Sequence, residues 1–362
     1  MRLKPRSDSI GTTMAVAMLM LVLWAMPSAR AQTDSGAHNL KTARIIVGSA
    51  PGGSYDGYAR LVAPFLGKYL PGHPSVVVEN MPGGGGLKLV NYMAQIAPHD
   101  GSEIGIADRN LIVAPLLKLV EMDNVHYDPA KFVWIANLNS DVSFLIVRTE
   151  SNIKTIDDLR SREVLVGSTS QTDNNGIFPY ISNNLIGTHF KVITGYPSSN
   201  AIALAMDRGE IDGVDGFSWS SIQLQKPEWL RDHKVVLLLQ LGLKPLPEQP
   251  NVPLMLDLAK TADDRKALEV FATLNTLGRP FFAPPQLSAA DAAMWRQAFA
   301  KAVKDDGFLA TVKKARFDLT FTDGETVQET VEKLNSISPA VAAIATDALK
   351  RNATQVQKAS KP

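Results

Sequence analysis

The chain has 362 residues, room for two domains at ~150 residues each. Hydrophobic residues make up 45% and charged residues 20%, a globular balance that excludes a disordered or coiled-coil chain. The formal charge of +1 gives no long-range attraction to nucleic acid or an anionic membrane. The lack of cysteine excludes disulfides, thiolate metal sites and a cysteine nucleophile.

Arg2, Lys4 and Arg6 precede an apolar run over 14–26 (MAVAMLMLVLWAM). That run falls short of the ~20 helical residues that span a bilayer. Pro27 breaks it, and Ala29-Arg30-Ala31 supplies the small residues a signal peptidase needs. The three parts in this order predict a signal peptide over 1–31, cleaved after Ala31, and a periplasmic mature protein.

Residues 44–49 (RIIVGS) read as a short buried strand, followed by the turn-rich loop Ala50 to Asp56. Tyr58, Leu61, Val62, Phe65, Leu66 and Tyr69 then recur on one helix face, with Asp56 at the expected N-cap and a kink expected at Pro64. A strand at 75–79, the run Pro82-Gly83-Gly84-Gly85-Gly86 and a helix from Leu87 repeat the scheme. A strand at 102–107 and a helix at 111–119 do so again. Further strands are read at 143–148, 163–168, 190–194, 234–241 and 278–283, with helices between and after them. Four prolines at 245, 247, 250 and 253 mark a stiff linker. Strands alternating with helices predict an α/β fold with mostly parallel sheets.

The chemistry lies in two glycine-rich loops, each after a strand and before a helix. Unpaired N–H groups and the helix dipole make such a helix start attractive to an anion, and glycine admits a close approach. Either loop is also readable as a plain turn. The second loop has Lys88 where a dinucleotide fingerprint needs glycine, and there is no P-loop, no G-x-S-x-G elbow and no H-E-x-x-H. No cofactor and no metal are expected. Arg109, beside Asp108, has the fork that grips a carboxylate, and a solvated ion pair reads equally well. Asp212 and Asp215 lie at a strand end, where capping is common. Tyr55, Phe217 and Trp219 sit at strand-end loops as candidate pocket walls.

The stretch Ile45 to Arg60, with its Pro51-Gly52-Gly53-Ser54-Tyr55-Asp56 loop, resembles the opening of the tripartite tricarboxylate transporter substrate-binding proteins, also called Bug receptors. Val76 to Gly86 resembles that family's next marker, V-V-V-E-N-x-P-G-x-G-G. Gly195 to Ala201, Ala203 to Asp212 and Leu246 to Pro253 resemble its later, looser stretches. The resemblance implies a two-lobed periplasmic binding protein of type II-like α/β fold. Each lobe would be a mostly parallel sheet flanked by helices. The lobes would close on a small carboxylate and deliver it to a large and a small membrane subunit. Carried over, the ligand contacts are Ser49, Gly52, Gly53, Ser54, Tyr55 and Asp56, then Pro82, Gly83, Gly84, Gly85, Gly86 and Leu87. Ser168, Thr169, Ser170, Gln171 and Thr172 follow, with Tyr196 and Asp215 nearby. Two departures stand out: Tyr55 replaces a small threonine, and the second-lobe loop Ser168 to Asp173 lacks glycine.

The expected lobes are 40–140 with 246–362, and 141–245. The carboxylate is expected at the helix start Ser54–Asp56, with Asp108, Arg109 and Trp219 as further contacts. The expected protein is a monomeric receptor, not an enzyme, with no nucleic-acid partner. A sensor for a membrane kinase and a periplasmic enzyme on the same scaffold are the alternatives.

Overall fold

This computed structural model describes residues 40–169 and 173–350, with Met1 and the backbone of 356–358. The expected leader at 1–31, and Ser170, Gln171 and Thr172 of the second-lobe loop, lie outside the described residues. Strand β1 (Thr42–Val47) leads into helix α1 (Ser54–Tyr69), and β2 (Ser75–Asn80) into α2 (Leu87–Gln95). Next, β3 (Glu103–Ile106) leads into a 3-10 turn at Arg109–Ile112 and α3 (Ala114–Leu117), and β4 (Val133–Asn137) follows. After a crossing come β5 (Ser143–Arg148), α4 (Ile156–Ser161), β6 (Val164–Ser168), α5 (Asn174–Ile181) and β7 (Phe190–Thr194). Then follow α6 (Ser199–Asp207), β8 (Gly213–Ser218), α7 (Trp219–Gln225), α8 (Pro227–Arg231) and β9 (Val235–Leu241). The chain ends with α9 (Ala262–Thr276), β10 (Pro280–Ala283), α10 (Ala289–Ala302), α11 (Asp306–Ala315), β11 (Thr322–Asp323), α12 (Gly324–Asn335), α13 (Pro339–Ala348) and β12 (Val356–Lys358).

The strands form two six-stranded sheets, ordered β11-β4-β10-β3-β1-β2 and β12-β7-β6-β8-β5-β9. Parallel pairing holds through β2, β1 and β3, and through β12, β7, β6 and β8. Antiparallel pairing enters through β10 and β5, which carry the chain into each sheet from the other. Both sheets are therefore mixed. In the first, Val47 stands level with Asn80 and with Ile106. The loops after β1, β2 and β3 thus open along one sheet edge, at the carboxyl ends where α/β sheets bind ligands.

The return to the first sheet comes later than the expected lobe boundary at 245/246. The proline-rich stretch folds back onto β9, because the buried Gln240 side chain satisfies three of its backbone groups. It accepts from the Leu246 N–H at 2.8 Å and donates to the carbonyls of Val252 at 2.6 Å and Gln249 at 3.1 Å. The chain rejoins the first sheet only at β10, and β12 pairs with β7 in the second sheet.

Helix α1 buries Tyr58, Ala59, Val62, Ala63 and Leu66 and continues through Pro64, which faces outward, to Tyr69. One apolar cluster runs from Ile46 of β1 and Leu89 of α2, through Leu268 and Phe271 of α9, to Leu145 of β5 and Ile177 of α5. Helix α9 is thus a layer shared by both sheets. Each large side chain buried there contributes roughly 1.5–3 kcal/mol. Among the described residues, no helix is long and apolar enough to cross a membrane.

Candidate ligand-binding cleft

The first loop does not use Asp56 as the N-cap. Gly53 holds that position without a side-chain bond, and Asp56 lies three residues into α1. Its carboxylate reaches back to accept the Gly52 N–H at 2.9 Å. It also accepts from Arg60 Nε and Asn80 Nδ2, both at 2.9 Å. Burial pushes its pKa up, but these bonds outweigh burial and hold it below the ordinary carboxylate value. Asn80 donates as well to the Ser49 carbonyl. Asp56, 3% exposed, therefore ties the first loop to the end of β2.

The second loop needs its glycines. Gly83, Gly84, Gly85 and Gly86 have φ of 149°, 57°, 64° and 98°, where a side chain would be strained. The two loops also touch: a Cβ on Gly48 would lie 3.2 Å from the Gly86 Cα.

Two adjoining chambers open beside these loops. The larger, about 330 Å³, is lined by Gly48, Ser49, Ala50, Tyr55, Pro82, Gly83, Gly85, Ala107, Asp108 and Asp173. The smaller, about 110 Å³, takes Ser54, Tyr55, Asp108 and Arg109 from the first-sheet side, with Arg279 from the entry to β10. The second-sheet side supplies Asp173, Asn174, Asn175, Ser199, Gly216, Phe217, Ser218 and Ser221. Tyr55, Asp108 and Asp173 belong to both chambers and form the neck between them.

The two arginines of the smaller chamber are each 4% exposed. Arg109 donates to the Asn275 side-chain oxygen at 2.6 Å. Arg279 donates to the Gly278 carbonyl at 2.5 Å and to Ser54 Oγ at 2.9 Å, and lies 4.7 Å over the Tyr55 ring and 5.2 Å over that of Tyr58. Among the described residues, the Nε of each has no hydrogen-bond partner, and neither guanidinium is in a salt bridge. Asp108 attracts both from the same chamber without forming an ion pair, and a ligand anion paired directly with them would offset the several kcal/mol that burying such cations costs.

The neck is acidic and polar. Asp108 accepts the Asn110 N–H at 2.8 Å and, more loosely, the Tyr55 hydroxyl at 3.4 Å. Burial raises its pKa above the ordinary value, against the pull of Arg109 and Arg279. Asp173 is bonded to the Thr169 hydroxyl. Burial pushes its pKa up to about 6, and the nearby Asp108 adds to the shift. The Tyr55 hydroxyl is pushed up to about 12, first by burial and then by Asp108.

Of the residues singled out in the sequence, Ser49, Ser54, Tyr55, Pro82, Gly83, Gly85, Asp108, Arg109 and Phe217 come together in these walls. Gly52 and Gly53 lie exposed on the first loop, Gly84 exposed on the second, and Gly86 and Leu87 behind it at the start of α2. Ser168 is buried, and its carbonyl accepts the N–H groups of Gly195 and Tyr196. Three others lie away from both chambers. Tyr196 packs on Gly167, and Trp219, 6% exposed, packs on the Phe144 ring at 5.4 Å. Asp215 turns inward to accept the Ser182 hydroxyl at 2.6 Å. The sequence reading missed Arg279, Asn174 and Asn175. Arg279 had a signal: it is the one charge in the run 277–287 (LGRPFFAPPQL) that opens a buried strand.

Asp215 is 1% exposed, and burial pushes its carboxyl up from 3.8 to about 6. An acid whose folded pKa lies above its unfolded one keeps its proton in the fold, so ionisation opposes folding. Stability should fall as pH rises from about 4 to 6 and stay lower above that. Asp215→Asn is expected to remove this slope. In melts across pH, the variant should gain on the wild type by up to roughly 3 kcal/mol at pH 7.5 and by nothing near pH 4. A pH-independent difference would contradict the assignment.

No family model matches the chain. A UPF0065 protein of Cupriavidus necator is 34% identical over 145 residues, covering 40% of this chain and 41% of that protein. A second UPF0065 protein, from Bordetella bronchiseptica, is 26% identical over 224 residues, covering 58% and 62%. The chain thus spans between two-fifths and two-thirds of the length of the curated relatives it matches. Among solved structures, the periplasmic binding protein BugD superimposes with a TM-score of 0.63 at 17% identity, over 87% of this chain and 99% of BugD. MatC from Rhodopseudomonas palustris, with bound malate, gives 0.60 at 17% identity over 85% and 98%. A further R. palustris protein, with adipate, gives 0.60 at 18% identity over 84% and 97%. The resemblance carried by 45–60 and 76–86 is borne out at the level of architecture: the chain has the two-lobed fold of the Bug-type periplasmic binding proteins.

Proposed function

We propose that this chain is a periplasmic solute-binding receptor, acting as a monomer rather than as an enzyme. It takes a small organic carboxylate between its lobes and delivers it to the large and small membrane subunits of a tripartite tricarboxylate-type transporter. We take 40–140 as the body of the first lobe and 141–245 as that of the second. The observation that carries the reading is the pair of buried arginines, Arg109 and Arg279, that line one chamber with neither in a salt bridge among the described residues. An arginine fork matches a carboxylate in shape and charge. The start of α1 supports it, since its N-cap Gly53 makes no side-chain bond and the helix dipole there favours an anion. Malate in MatC and adipate in its R. palustris relative are both small dicarboxylic acids.

The test is a thermal-shift panel on refolded residues 32–362, so that no copurified ligand occupies the cleft. The panel holds mono-, di- and tricarboxylates, aromatic acids and amino acids. A ligand at 100 times its Kd stabilises by ~2.7 kcal/mol, which raises Tm by several degrees. A shift with one class of acid supports the reading, and a flat panel overturns it.

A further inference from the structure

Resting on that reading, we propose that Asn275 is a positioning residue. It ties Arg109, and so the acid that Arg109 holds, to both connections between the sheets. Occupation of the cleft and the angle between the lobes are then coupled through one buried amide. The two connections are the stretch between β4 and β5 and the longer one from β9 through α9 to β10. Asn275 lies in the last turn of α9, is 1% exposed and lines neither chamber. Asparagine often spends its side chain on nearby backbone. Here both side-chain bonds leave the helix. Oδ1 accepts from Arg109 at 2.6 Å, and Nδ2 donates to the carbonyl of Leu241, the last residue of β9, at 2.8 Å. The backbone carbonyl of Asn275 accepts the N–H of Asp141, which lies between β4 and β5, at 3.0 Å.

The two connections are laced together beside this amide. The Gly278 N–H donates to the Asn139 carbonyl at 2.8 Å. The Asn137 side chain donates to the Thr276 carbonyl at 3.1 Å and accepts the Arg279 N–H at 2.8 Å. The second cleft arginine therefore springs from the same lacing. Asn110, the neighbour of Arg109, donates across the cleft to the Asn174 side chain at the start of α5, at 3.2 Å. The 3-10 turn at Arg109–Ile112 thus meets the chamber, the connections and the opposite lobe. The oxygen and nitrogen of one amide share a rigid plane. A guanidinium drawn toward a ligand carboxylate either carries that plane with it, moving Leu241, or breaks a buried bond. A ligand shifts the lobes only by binding one arrangement better than the other, and this chain of bonds makes the hold on Arg109 depend on the arrangement.

The experiment separates affinity from closure. Residues 32–362 are titrated by calorimetry with succinate, malate, adipate, glutamate and citrate. The radius of gyration is then measured by small-angle X-ray scattering without acid and at saturation. The wild type is expected to bind at least one of these probes and to become more compact. Asn275→Leu removes both side-chain bonds at similar volume. It should bind the same probe at least 10-fold more weakly and, at saturation, lose most of the compaction. Asn275→Asp covers the case in which leucine unsettles the fold. It keeps the acceptor for Arg109, gives that cation a counter-charge and loses only the donor to Leu241. It should lose the compaction as well. A plain tether at the helix end would lower Tm in both variants and leave the compaction at saturation intact. Full compaction in a folded variant, or a wild type that binds without compacting, overturns the proposal and leaves the carboxylate receptor standing. No binding of any probe to the wild type overturns both.

Discussion

Arg279→Met is expected to weaken carboxylate binding at least 100-fold without lowering Tm. Arg279 is buried, holds one hydrogen bond to Ser54 Oγ and one to the Gly278 carbonyl, and has no salt bridge among the described residues. Removing one member of a desolvated charge pair typically costs 2–5 kcal/mol of affinity. In the empty protein the same change removes a buried charge that no salt bridge among the described residues holds, and an apolar side chain of similar length still covers Tyr55 and Tyr58. Loss of binding with unchanged or raised stability separates a ligand contact from a structural one. Arg279→Lys should fall between, since an ammonium keeps the charge but not the planar fork or the stacking. Wild-type affinity in Arg279→Met, measured by calorimetry, would remove this residue from the site.

The second large effect is expected at Gly216. Its φ is +78°, and an added Cβ would lie 2.7 Å from the Asn174 backbone carbon and oxygen and 2.9 Å from the Phe178 ring. The strained backbone costs about 1–3 kcal/mol and the overpacking a similar amount. Gly216→Ala should therefore destabilise by about 3 kcal/mol, lowering Tm by roughly 6–12 °C. Since Asn174 lines the smaller chamber, its displacement should weaken ligand binding too. Gly52→Ala is the control. That glycine also has a positive φ, +82°, but nothing lies within 4 Å of its added Cβ. It should cost only about 1 kcal/mol. Equal melting shifts in the two variants would show that the contact between β8 and α5 yields easily.

The alternation of strands and helices was legible because buried strands such as 44–49 and 143–148 are short apolar runs bounded by turn residues. The two glycine loops were legible because their backbone conformations demand glycine, as at Gly83 to Gly86. The arginine pair was not. Arg109 gains its meaning from Asn275, 166 residues away, and from the lack of a salt bridge to it among the described residues, which no local pattern records. The return crossing was misplaced for a similar reason. Prolines 245 to 253 read as a linker, but one side chain, Gln240, pins the stretch to β9. Asp56 looked like a cap by position, and its buried bonds to Arg60 and Asn80 show it anchoring the loop instead. Asp215 and Trp219 lie near loops in sequence yet turn into the interior of the second lobe, and Tyr196 packs half-buried against the same cluster.

The central claim is that an acid is held between the lobes by Arg109 and Arg279. The most direct measurement is a crystal structure of residues 32–362 with the acid that gives the largest thermal shift. The account predicts a ligand carboxylate within about 3 Å of guanidinium nitrogens from both arginines, with the rest of the ligand passing between Asp108 and Asp173. A ligand bound elsewhere, or seated in the larger chamber without contact to either arginine, would contradict it.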